Sequence, residues 1–238
     1  MKFAKEDLDM FLVPTGLWIM FGYHLFLLYR ILRYPETTVV GYENHNRIAW
    51  VERVMQGDSS DLGSALTVIS SNTAAATFLC SICISLSSLI GTWVASSSDN
   101  ILVSSLIYGD TSQTTISIKY ISLLSFFLVG FVSFVQSARY FVHANFLIST
   151  PNTNIPIKYV QLAVIRGSNF WSLGLRALYF AITLLLWIFG PIPMFASSVI
   201  MVIFLHIVDT NPHPLHQYSM QRRPLKKLSQ DHDLINGS

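Results

Sequence analysis

The chain has 238 residues, of which 52% are hydrophobic and 12% charged, against about 25% charged in a typical soluble domain. Its apolar residues lie in long blocks nearly free of charge, whereas a soluble core needs them at intervals of two or 3.6 residues. A net charge of +2 is too small to imply a nucleic-acid partner. These features exclude a soluble globular domain and predict an all-α membrane protein, a bundle of about four spans in a lipid bilayer.

The first span is expected at about residues 8–32. It is too long for the apolar core of a cleaved signal peptide, and no small-residue cleavage site follows it. Pro14 falls near its start, and Tyr29, Arg30, Arg33 and Tyr34 close it at the interface. The polar stretch Pro35 to Gly63 reads as a surface loop with a short helix around Arg47–Met55. A second span, about 66–93, carries Ser70, Thr77, Ser81, Ser85, Ser88 and Thr92 on one face, with Ala74 filling the gap. Phe78, Ile82, Leu86, Leu89 and Trp93 take the other side. Cys80 and Cys83, the only cysteines, sit within this span without a second ligand pair and read as packing residues.

A loop from Val94 to Ser117 leads to the third span, about 118–146, and Pro151 to Gly167 reads as another polar loop. The last apolar block, 171–208, is interrupted by Gly190-Pro191-Ile192-Pro193 and is expected to be one kinked span, in preference to a hairpin of two spans because Met194–Val208 is only 15 residues. Residues 1–210 thus make the transmembrane domain, and 211–238 a polar, mobile tail with the basic run Arg222-Arg223-Pro224-Leu225-Lys226-Lys227. With four spans, the Arg and Lys close to the helix ends favour both long loops in the cytoplasm and both termini outside it, although the tail cluster pulls the other way.

Two features suggest conduction, and each has a structural alternative. The hydroxyl face of the second span suits close helix packing, or the wall of a water-filled pore if several copies surround it. Glu6, Asp7 and Asp9 precede the first span. One carboxylate would cap that helix; three in a symmetric ring would make the electronegative mouth of a cation channel. His24, Arg139, His143 and Arg176 are read as internally paired or snorkelling groups. The seven histidines form no metal box. No phosphate loop, nucleophile elbow or paired-aspartate site occurs. The chain therefore reads as neither an enzyme nor a cofactor or metal protein.

Several local patterns together resemble one family. They are Leu8-Asp9 with Leu12-Val13-Pro14, Gly22-Tyr23-His24, Asn44-His45-Asn46-Arg47 with Trp50, and Phe141-Val142-His143-Ala144-Asn145-Phe146. Arg166-Gly167, Phe170-Trp171, Gly174, Arg176-Ala177 and Tyr179-Phe180 complete the set. The chain resembles the plant tetraspan proteins catalogued as a domain of unknown function. It is also similar to cation channels of the plant endoplasmic reticulum that act in immunity. That resemblance implies a homo-oligomer, a pentamer, with a central pore passing calcium and other cations. A structural or interaction tetraspan without a pore is the alternative.

Overall fold

The computed structural model describes residues 5–57, 59–96, 112–150 and 155–212, which form six α-helices and a one-turn 3-10 helix at Pro35–Thr37. The helices are α1 (Lys5–Arg33), α2 (Val39–Met55), α3 (Ser59–Ser96), α4 (Gln113–Ser149), α5 (Ile157–Trp187) and α6 (Pro191–Asp209). All except α2 are long and apolar enough to cross a membrane, which makes five such helices. Of the expected loop Val94 to Ser117, both ends are helical, in α3 to Ser96 and in α4 from Gln113, and residues 97–111 lie outside the described residues, as do the tail from residue 213 and its basic run.

The central helix is α4. Its buried residues include Tyr120, Phe127, Phe134, Phe141 and Ile148, seven apart, and between them Leu123, Gly130, Ser137 and Ala144. That is the 3.5-residue period of a helix seated in a left-handed packing seam. On α5, Gly167, Gly174 and Ala181 are also seven apart and buried. The two series mesh antiparallel. A Cβ on Gly167 would lie 3.0 Å from the Phe141 ring, and one on Gly174 would lie 2.7 Å from that of Phe134. Phe127 and Ala181 share a core cluster farther along. Each ring thus enters a gap left by a missing side chain, and the Ser137 hydroxyl donates to the Gly167 carbonyl at 2.7 Å. Small residues allow this approach between membrane helices.

α3 packs beside α5 on the same buried face of α4, whose far side, with Ile121, Leu128, Val132 and Val142, is exposed. Ile69, Cys83 and Ile90 are buried, along with Ala76, so α3 also offers a seven-residue seam. Cys83, free and buried, lies 3.2 Å from where a Cβ on Gly130 would stand, in keeping with a packing role. Of the remaining helices, α1 and α6 lie side by side. Val13 shares a cluster with Met194 at one end, and Tyr23 and Leu27 share one with Leu205 at the other.

Three further expectations change. The block 171–208 is two antiparallel helices. Pro191 falls in the first turn of α6, where a missing N–H has no partner to lose, and Gly190 turns the chain at φ 139°. The prolines therefore start a helix where a kink was expected. The expected loop Pro151 to Gly167 is helical from Ile157. Its polar residues Lys158, Gln161 and Arg166 alternate with buried Val160, Ala163 and Val164. Finally, α1 begins at Lys5, which puts Pro14 inside the helix.

Candidate functional site

Ser70, Ala74, Thr77, Ser81, Ser85, Ser88 and Thr92 are all exposed. At 100° per residue this stripe centres roughly 150° round α3 from its buried seam. It faces away from the protomer. The hydroxyls of Thr77, Ser81, Ser88 and Thr92 each donate to the carbonyl four residues earlier, at 2.9–3.0 Å. Their hydrogens are thereby used within the helix, and oxygen lone pairs point outward.

The acidic cluster divides. Asp9 is buried, and its Oδ1 accepts from Trp187 Nε1 at 2.7 Å. Lys119 is buried too, with Nζ 5.5 Å from the Trp187 ring centre. The start of α1, the start of α4 and the end of α5 are thus joined around Trp187. The side chains of Glu6 and Asp7 lie outside the described residues.

A second polar node lies at the opposite end. Arg176 donates from Nη1 to Asp209 Oδ2 at 2.8 Å and from Nη2 to Oδ1, while the Tyr23 hydroxyl donates to Oδ2 at 2.7 Å. Next to it, Arg30 donates to the Thr37 carbonyl at 2.8 Å, and Asn211 N–H donates to the same carbonyl at 3.0 Å. Thr38 and Thr210 form an isolated antiparallel bridge. Arg176 therefore pairs with a carboxylate on the neighbouring helix. His24 Nδ1 lies 2.7 Å from the Met20 carbonyl, its ring rests 4.8 Å from Phe180, and its buried Nε2 has no partner. Arg139 and His143 are exposed.

The family model described as "Protein of unknown function, DUF599" matches residues 11–214. The chain belongs to the DUF599 family. No curated protein and no solved structure matches it.

Three of the segments that carry the DUF599 resemblance converge on one place that sequence reasoning missed. A cavity of about 90 Å³ is lined by Arg47, Asn72, Ala75, Phe141, Ser168 and Trp171, and so draws on α2, α3, α4 and α5. Asn44, one turn before Arg47, donates from Nδ2 to Asn169 Oδ1 at 3.1 Å. Gln161 donates to the Ile48 carbonyl at 3.2 Å, fixing α2 against α5. The run Asn44–Arg47 was visible in the sequence, but α2's docking partner lies more than a hundred residues away.

Proposed function

We propose that the protein is a passive, cation-selective channel, permeable to calcium, whose central pore lies in a homo-oligomeric ring. The observation that carries this reading is the hydroxyl face of α3, turned away from its own bundle. From Ser70 to Thr92 it is about 33 Å long at 1.5 Å per residue, matching a hydrocarbon core of about 30 Å. One helix cannot enclose a channel, so a wetted stripe needs several copies. Outward lone pairs suit cations better than anions.

A ring of five is what the resemblance implies. Five helices packed about 9 Å apart stand roughly 8 Å from the axis. Subtracting a helix radius of roughly 5 Å leaves a lumen roughly 3 Å in radius, wide enough for a partly hydrated cation. Glu6 and Asp7 would stand at its mouth. Asp9, held by Trp187 with buried Lys119 beside the same ring, is set within the protomer and is left out of that mouth.

The same reading takes all five long helices as spans, with an endoplasmic-reticulum location resting on the resemblance alone. Because α6 returns antiparallel to α5, its C-terminus then lies on the side of α2, the end of α4 and the start of α5. Of the 15 Lys and Arg, all but Lys2, Lys5 and Lys119 fall on that side, a ratio of 12 to 3. A single span over 171–208 would move the four tail cations across and give 8 to 7. The positive-inside rule favours the five-span arrangement, with the basic end cytoplasmic.

Purified protein in planar bilayers tests the function. Unitary currents that reverse near the cation equilibrium potential are expected. A clean 26.8 kDa monomer in mild detergent would remove the pore. An oligomer that passes no current would leave a structural or interaction protein in its place.

A further inference from the structure

The cavity among α2, α3, α4 and α5 holds a cation that its own protein neighbours satisfy only in part. Arg47 Nη2 pairs with Glu43 at 2.9 Å, but Nη1 is buried and has no partner. An orphaned donor on a charged group is costly to bury, and this one lines an open space. The buried Ser168 and the Asn72 amide line the same space, while Phe141, Trp171 and Ala75 form an apolar wall. At about 90 Å³ it has room for several waters, or for a group of phosphate size. We propose that this cavity binds the phosphate group of an anionic ligand, with Arg47 Nη1 as the charged donor.

The composition of the wall narrows the chemistry. Guanidinium and hydroxyl donors suit a phosphate oxygen, and the aromatic side suits an apolar body attached to it. Glu43 stays beside Arg47, so a singly charged phosphodiester meets less repulsion than a doubly charged free phosphate. A phospholipid headgroup supplies the first, and inorganic phosphate the second. The cavity lies at the end of the bundle that carries Arg30, Arg33, Arg53, Lys158 and Arg166, together with Glu36, Glu52 and Asp61, so the surrounding charge is mixed and Arg47 itself is the anion-binding group. This inference is independent of the pore.

Native mass spectrometry of the purified full chain tests it. The protein is exchanged into neutral detergent and then given either phosphatidylglycerol or inorganic phosphate alone. One retained adduct per subunit is expected with the lipid, with binding at least about tenfold weaker in Arg47→Gln, the worth of one charge-assisted hydrogen bond. Ala75→Leu, which fills the space and leaves every charge in place, should weaken the same adduct. It keeps the test valid if Arg47→Gln fails to fold. Phosphate bound in the second arm, and lost in both variants, would identify a soluble ligand for the same site. Equal adducts in wild type and both variants, or none in either arm, would overturn the proposal.

Discussion

Removing Arg176 should loosen the end of the bundle where α6 meets α1 and α5. Asp209 is the last residue of α6, where the helix dipole is negative and a carboxylate is disfavoured. It is 4% exposed and is held there by two Arg176 hydrogen bonds and one from Tyr23. Arg176→Met leaves that carboxylate buried against a negative helix end with one neutral donor. Breaking a buried pair from one side costs about 3–5 kcal/mol, and each kcal/mol lowers the midpoint by about 2–4 °C for a chain of this size. The expected loss is on the order of 10 °C. Asp209→Asn keeps an acceptor for Tyr23 and should cost less. The double variant removes both charges and should be more stable than the sum of the two single losses predicts. Size-exclusion of detergent-solubilised protein after graded heating measures all four. A drop below about 3 °C for Arg176→Met, or strict additivity in the double variant, would refute the reasoning.

Gly174→Leu should destabilise by at least the 1–3 kcal/mol typical of overpacking, because even a Cβ there stands 2.7 Å from Phe134. Phe134→Ala in the same chain should recover part of that loss in the same heating assay, and no recovery would separate the two residues. Ser81→Leu with Ser85→Leu should leave the protomer's melting unchanged but abolish unitary currents, since both side chains face away from the bundle; intact currents would take the stripe out of the pore wall. Neutralising Glu6 and Asp7 should shift the reversal potential under a salt gradient toward lower cation preference, and an unchanged value would reduce them to helix capping. Single cysteines at Ser59, Asn152 and Ser238 should all react from one side of the membrane. Labelling of Ser238→Cys from the other side would return the last block to a single span.

The existence of most helices was legible because charge-free blocks of bilayer length admit no other backbone. The helix α2 was legible as a short element around Arg47–Met55 and proves to begin at Val39. Where polar residues enter a span, block hydropathy failed. The first half of α5 reads as a loop on average, yet Val160, Ala163, Val164 and Gly167 keep one buried face. The seven-residue series on α4 and its complement on α5 were also readable. An aromatic every seven residues opposite a glycine or alanine every seven is a pairing code in a membrane, where small residues set how closely helices approach. The Arg176–Asp209 pair was not readable in this way. It depends on the reversal at Gly190, which a Gly-Pro-Ile-Pro sequence marks but does not distinguish from a kink.

The two exposed faces of α3 differ, and that difference bears on what each one meets. Both lie outside the seam with α4. One displays Phe78 and Leu89, at 65% and 64% exposure, as lipid requires. The other is small and hydroxylated along the thickness of a bilayer. A hydroxyl bonded to its own helix can be tolerated in lipid, because its hydrogen is already satisfied. Exposure alone therefore does not call for water. If lipid bathed both faces, however, no energetic reason would confine the bulky side chains to one and the hydroxyls to the other. The helix is asymmetric beyond what its own protomer demands, which is what the proposed oligomer would explain. Close packing against another subunit would also favour small residues, Ser and Thr included, and the currents of the Ser81→Leu, Ser85→Leu variant separate it from a wetted wall. On the channel proposed above, water would account for both the size and the lone pairs, with several copies needed to enclose it.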